Sequence, residues 1–343
     1  MKHARISPYL LNGLLLALAL LASVAIGAVY IAPGTVLRIF LAQIPGVNVE
    51  TAGLETAVTI IMQVRLPHTA LVVLTGAALA GSGAAYQGLF RNPLADPYLI
   101  GVASGAGLGA VLAMSRQWPS DWLGLYTVPI AAFLGAVVTI VIVYNLAKTG
   151  PTLQTTTLIL AGVAVSSFAT ALTSFLMLRS NAELRRALGW LLGGSLLSGW
   201  TPVVAMLPYV TVGLLLLLTM GHALNVLQFG DDQAEQMGLN VERTKRLLLV
   251  AASLTTAAAV AFSGIIGFVG LIVPHVMRLI WGPDYRRLTP LSIIGGGTLL
   301  LLADILARVA LAPQVLPVGV VTALGGAPFF LWILYQAKSK VTW

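Results

Sequence analysis

Apolar runs long enough to cross a membrane recur along this chain, separated by short polar turns. They cover about residues 10–32, 64–89, 97–114, 125–147, 154–178, 199–221, 245–262, 265–281, 290–311 and 316–336. A spanning helix needs about 20 apolar residues. Strands of a membrane barrel would alternate instead of running unbroken. The pattern predicts an all-α polytopic membrane protein of about ten transmembrane helices, organised as one transmembrane domain over 1–343. The eighth run is the weakest, being short, carrying Gly267 and Gly270, and broken by Pro274. Such a helix survives at membrane depth where other protein covers the freed backbone groups; nine spans plus a re-entrant segment is the alternative.

Composition agrees. The chain is 58% hydrophobic and 9% charged, with a mean hydropathy of +0.94. Its 35 glycines suit close helix packing. With no cysteine there is no disulfide framework and no thiolate metal site. The net charge of +8 is scattered over loop ends, which fits membrane topology better than nucleic-acid binding. The N-terminus opens like a signal peptide, and Ala22-Ser23-Val24-Ala25 resembles a cleavage site. Apolar sequence nevertheless continues to Ala32, beyond an h-region of about 7–15 residues, so an uncleaved first span is expected.

Ten spans with both termini in the cytoplasm put Lys2, Lys148, Lys245, Lys338 and Lys340 inside. Arg38, Arg65, Arg116, Arg179, Arg185, Arg186 and Arg308 fall outside. Of the 19 lysines and arginines, twelve are then inside and seven outside, in keeping with the positive-inside rule. GAALAGSGAAYQGL in span two and AAAVAFSGIIGFVGL in span seven are alike and run in opposite directions, suggesting an inverted repeat. Chance likeness between two Ala/Gly-rich helices is the other explanation.

Against this apolar background, residues 230–246 (GDDQAEQMGLNVERTKR) form a charged island. Asp231 and Asp232 open a short helix with negative charge at its positive end. Gly238 closes it, and Asn240 caps the next helix. A solvated loop is the bland reading; the specified start and stop favour a compact helix off the membrane, gripped by a cytoplasmic partner. Phe90–Arg91–Asn92–Pro93–Leu94–Ala95–Asp96–Pro97 reads as a tight cytoplasmic turn, its prolines ending one helix and starting another. Gly101, Gly105 and Gly109 recur every four residues as a packing stripe. On span five Gly162, Ser166, Thr170 and Ser174 share one face, which lines a pathway or hydrogen-bonds neighbouring helices.

The order FRNPLADP, the acidic island, GFVGLIVPHVMR, LADILAR and LPVGVVTALGGAP closely resembles the FecCD-type permease family, from about residue 60 to 336. These are membrane subunits of ABC importers for ferric siderophores, haem and vitamin B12. The resemblance implies a vitamin B12 permease-like fold in the bacterial cytoplasmic (inner) membrane, usually a homodimer. Its implied partners are two cytoplasmic ATPases and a periplasmic or lipid-anchored binding protein. It makes the island the coupling helix, within 230–240, with Asp232, Gln233, Glu235, Gln236, Met237 and Gly238 as the ATPase contact. The chain has no GxxxxGK[ST] loop, so no cofactor is expected in it; ATP and Mg belong to the ATPase, and the chain itself is not an enzyme. Basic residues at the outer mouth dock the binding protein in such permeases, which points to Arg65, His68 and Arg308. Where vitamin B12 permeases carry RLPR this chain has RLPH, which removes a permanent charge. Arg65 as an interfacial anchor, and Arg308 neutralising Asp304 four residues earlier, are the structural alternatives. Spans five and ten line the family's pathway, adding Thr322, Gly325 and Gly326 to the span-five face. His275 and Met277 are poor haem-ligand candidates, because Pro-His recurs in the family whatever the substrate. The cargo read this way is an iron complex, siderophore or haem, with a corrinoid as runner-up. An ion-coupled transporter built on Asp304, or a membrane scaffold, would be the other classes.

Overall fold

The computed structural model describes residues 7–27, 29–46, 53–115, 126–149, 152–153, 155–179, 184–195 and 197–340. Lys2 and Arg116, used in the orientation argument, lie outside them. The described elements are α1 (Pro8–Ala25), α2 (Pro33–Ala42), α3 (Glu55–Leu89), α4 (Val102–Ser115), α5 (Thr127–Ala147), α6 (Thr155–Arg179) and α7 (Leu184–Leu191). Then come α8 (Trp200–Thr219), α9 (Gly221–Leu227), α10 (Asp231–Gln236), α11 (Val241–Ser263), α12 (Val269–Trp281), α13 (Tyr285–Val309) and α14 (Val318–Lys340). A two-residue antiparallel ladder, Lys148–Thr149 with Thr152–Leu153, joins α5 to α6.

Each expected span contains a helix. Among the described residues, seven helices are long and apolar enough to cross a membrane: α1, α3, α5, α6, α8, α11 and α13. Helix α11 is the innermost, with 72% of its apolar window buried. From Ala251 to Ser263 its buried positions are alanine, serine and threonine apart from Val260, small enough for neighbours to close on every side. Helix α3 is likewise encased from Thr75 to Leu89. It crosses α13 where Gly76 and Gly296 face each other's carbonyls, and α12 where Gly83 lies against the Gly270 carbonyl. A Cβ on Gly83 would sit 1.9 Å from that oxygen, so no other residue fits there. The expected stripe on α4 packs the same way, Gly105 on Gly135 and Gly109 on Ala131 of α5.

Three boundaries differ from expectation. The first apolar run is a helix only to Ala25, and α2 is a separate short helix. The turn after α3 continues to Gly101, so α4 is 14 residues, about 21 Å, too short to span alone. The eighth run is helical only from Val269; before it, 264–268 is non-helical and Phe268 is left-handed at φ +70°. The two irregular stretches satisfy each other. Tyr98 Oη donates to the Ile266 carbonyl (2.9 Å) and accepts from the Ile266 amide (3.2 Å), while Gln87 Nε2 donates to the Leu271 carbonyl (3.0 Å). Backbone that leaves a helix inside the bundle thus meets protein donors and acceptors instead of lipid.

The segments that suggested an inverted repeat do not share local structure. Ser82–Gly88 lie inside continuous α3, whereas Ser263 ends α11 and Gly270 belongs to α12.

Candidate coupling helix and translocation groove

Side-chain contacts sort the connections into two ends of the bundle. At one end lie the 90–101 stretch, α9, α10 and the α12–α13 link. Gln228 Nε2 donates to the Gly88 carbonyl (3.0 Å), Asn225 Nδ2 to Asp284 Oδ1 (2.6 Å), and Arg278 Nη2 to Gln87 Oε1 (2.8 Å). The Asn225 hydrogen bond, with help from Arg286 and Arg287, holds the exposed Asp284 carboxyl below its ordinary range.

Helix α10 forms as its local signals demand. Gly230, at φ +104°, precedes it. Gly238, at φ +86°, closes it in a Schellman arrangement: the Gly238 amide bonds Glu235 O (2.9 Å) and the Leu239 amide bonds Ala234 O (3.0 Å). Asn240 Oδ1 then accepts from the Arg243 amide (3.0 Å) and caps α11. Only Ala234 of α10 is buried; Asp232, Gln233, Glu235, Gln236, Met237 and Gly238 are all exposed. Phe229, 61% exposed beside them, is a residue the sequence did not single out, although an aromatic bordering a charged island is a usable signal. The face offers carboxylates, amides and two apolar side chains to a partner.

The opposite end holds Arg65, His68 and Arg308, and here the arginines point inward. Arg65 is buried and donates to the carbonyls of Val24 (2.7 Å), Ala25 (2.9 Å) and Val29. Arg308 donates to Ser23 O (3.1 Å), Ile26 O (2.8 Å) and Ser23 Oγ (2.9 Å), and pairs with Asp304 at 2.9 Å. His68 Nε2 reaches the other Asp304 oxygen at 2.8 Å. Both arginines thus tie down the end of α1, and Arg308 also pairs with Asp304 four residues before it. Asp304 sits between two basic partners. Arg185 of the amphipathic α7 is exposed at its own surface.

Along α6, Ser166, Thr170 and Ser174 line an open groove of about 700 Å³ together with Val163, Ser167, Ala171, Asp96, Tyr98 and Leu99. Gly162 does not line it. Gly162 is a packing site, where a Cβ would come within 2.3 Å of the Leu99 carbonyl. Asp96 was read as part of a surface turn, yet it sits on the groove wall, its Oδ1 accepting from the Tyr98 amide (2.8 Å). The α14 positions stay apart from the groove. Thr322 is buried and bonds the Gly319 carbonyl of its own helix (3.1 Å), Gly326 abuts the Phe268 ring, and Gly325 is open. Met277, a poor haem-ligand candidate from the sequence, packs its methyl against Gly295.

A bundle of spanning helices with two protein-sealed breaks, a polar groove and one protruding hydrophilic helix defines a polytopic membrane permease. The chain belongs to the FecCD transport family, which it matches over residues 15–336. It is 48% identical to the cobalamin import system permease protein BtuC of Halobacterium salinarum, over 83% of this chain and 76% of that one. It is 39% identical to the hemin transport system permease protein HmuU of Yersinia pestis, over 81% and 84%. It is 38% identical to the ABC transporter permease protein YvrB of Bacillus subtilis, over 98% and 95%. A solved structure described as an inward-facing conformation of a metal-chelate type ABC transporter superposes with a TM-score of 0.81 at 29% identity, covering 96% of this chain and 98% of that one. The chain is therefore the permease of an ABC importer.

Proposed function

We propose that this permease works as one half of a homodimer in the bacterial cytoplasmic membrane, driven by two cytoplasmic ATPases and fed by an external binding protein. The carrying observation is α10: a six-residue helix closed at its end by glycine, with one buried side chain and its other faces exposed at one end of the bundle. That end is assigned to the cytoplasm, and with it both termini. ATP and Mg²⁺ act on the ATPase, and its movements reach this chain through Asp232, Gln233, Glu235, Gln236, Met237 and Gly238. The groove on α6 forms half of a pathway that a second copy completes.

For the cargo, the groove chemistry favours a corrinoid over the siderophore or haem first expected. Its lining offers hydroxyls from Ser166, Ser167, Thr170 and Ser174, one acidic side chain and no basic one. An amide-rich corrinoid, whose single phosphodiester charge is balanced by its cobalt, finds hydrogen-bond partners there, whereas haem propionates or a polyanionic ferric chelate meet Asp96. The 48% identity to a cobalamin permease points the same way. Arg65 and Arg308 are assigned to holding α1, which leaves His68, its side chain 42% exposed, as the remaining docking candidate of the three.

The test is purification of the permease with its ATPase and binding protein, followed by the absorption spectrum of the bound ligand. Corrinoid bands are expected. A Soret band would replace the corrinoid with haem, and failure of an ATPase to co-purify would remove the coupling role of α10. Reversing charge with Glu235→Arg should release the ATPase while leaving the permease folded.

A further inference from the structure

We infer that Asp231 is a positioning residue, the joint through which movement of α10 reaches the groove wall. The inference rests on α10 being the coupling helix and concerns how that helix is attached to the rest of the chain. Asp231 is the first residue of α10, and its carboxylate, 41% exposed, lies between Lys245 and Arg91. One oxygen accepts from Lys245 Nζ of α11 at 2.5 Å; the Lys245 side chain is only 7% exposed. The other lies 4.0 Å from Arg91 Nη2, in the irregular stretch after α3. A half-exposed pair such as Asp231–Arg91 is weak alone. Here Lys245 anchors the carboxylate from the shielded side, so Arg91 meets a fixed charge, not a freely rotating one.

The surroundings keep this contact short. Gly230 stands directly before Asp231, and a Cβ on it would lie 3.3 Å from Arg91 Nη1. Gln228, just upstream, holds the Gly88 carbonyl at the end of α3. Arg91 itself is left-handed at φ +49°, a conformation uncommon for a residue with a side chain. Beyond Arg91 the stretch is braced internally. The Asn92 amide bonds Gln87 O (3.1 Å), Asn92 Oδ1 accepts from the Leu94 amide (2.9 Å), and Asp96 Oδ1 accepts from the Tyr98 amide (2.8 Å). Its far side carries Asp96, Tyr98 and Leu99 into the groove and rests on Gly162 of α6. Displacing α10 therefore displaces Arg91, and the braced stretch carries that displacement to the wall bearing Asp96. Without the joint, α10 still moves with α11 but no longer drags the wall.

The chain has no cysteine, so introduced ones are the only labelling sites. Spin labels at Pro93→Cys and Ser174→Cys report the wall against α6 by pulsed electron resonance. The sample is the full complex with its ATPase in nanodiscs, nucleotide-free and then trapped with ATP and vanadate. Trapping should shift the Pro93–Ser174 distance distribution in the parent. In Asp231→Asn the shift should fall to less than a third, with the ATPase still bound and basal hydrolysis within twofold of the parent; Asp231→Glu should restore it. An undiminished shift in Asp231→Asn overturns the joint and leaves the coupling role of α10 standing. Loss of the ATPase from Asp231→Asn alone also overturns it, making Asp231 an assembly residue. A parent that binds no ATPase overturns the reading of α10 itself, and the joint with it.

Discussion

Arg65 shows how one side chain changes meaning once its partners are known. A basic residue at the end of a span reads as a docking charge or an interfacial anchor. In the fold its guanidinium fork collects carbonyls from Val24, Ala25 and Val29, where α1 ends and its last carbonyls lack intrahelical donors. Positive charge there also suits the negative end of the helix dipole. These acceptors lie some 36 to 41 residues away, so no local pattern reveals them. Arg65→Gln is expected to cost about 2–4 kcal/mol, because buried acceptors lose charged donors. Thermal unfolding in detergent would show it, with binding-protein affinity of the folded fraction unchanged. Arg65→Lys should recover little, since one ammonium cannot reproduce the fork. A variant with parental melting and tenfold weaker binding-protein affinity would return Arg65 to the docking surface.

At the scale of elements, the helices follow from local sequence and the breaks between them do not. Ten apolar runs, the Schellman glycine Gly238 and the cap Asn240 are local signals, and all of them appear in the structure. The irregular stretches 90–101 and 264–268 are tertiary. IIGFVG is apolar enough to read as helix, and it is held open by Tyr98, 168 residues distant. The groove follows from these breaks, which is why Asp96 was legible only as a turn residue and Gly162 only as part of a stripe. Tyr98→Phe removes both hydrogen bonds to Ile266 and strands an amide and a carbonyl inside the bundle. It should destabilise by about 1–3 kcal/mol, read from detergent unfolding, and should raise hydrogen exchange at the Ile266 amide specifically. Gly83→Leu is a harsher case, for the Gly270 backbone occupies the space of its first carbon. That variant should fail to accumulate in the membrane, as judged by its yield against Gly13→Leu, where the surroundings are open.

At the scale of the molecule, the exposed faces of α6 differ in a way that lipid alone would not require. Ser166, Thr170 and Ser174 open onto the groove, while Phe168, 71% exposed, and Phe175, 53% exposed, share the far side of the same helix. Hydroxyls gain nothing from hydrocarbon, and Ser174 partly hides by donating to its own Thr170 carbonyl (2.9 Å). A helix with one hydroxyl-bearing side and one aromatic side separates water from lipid. Since the native chain lacks cysteine, single cysteines can map that boundary. Thr170→Cys and Ser174→Cys should react with a charged, water-soluble maleimide at least tenfold faster than Phe168→Cys, because thiolate forms only where water reaches. Nucleotide trapping should change the Thr170→Cys rate and leave Phe168→Cys unmoved if the groove opens and closes. Equal slow rates at all three positions would place this face against protein or lipid, and the pathway would then have to run elsewhere in the bundle.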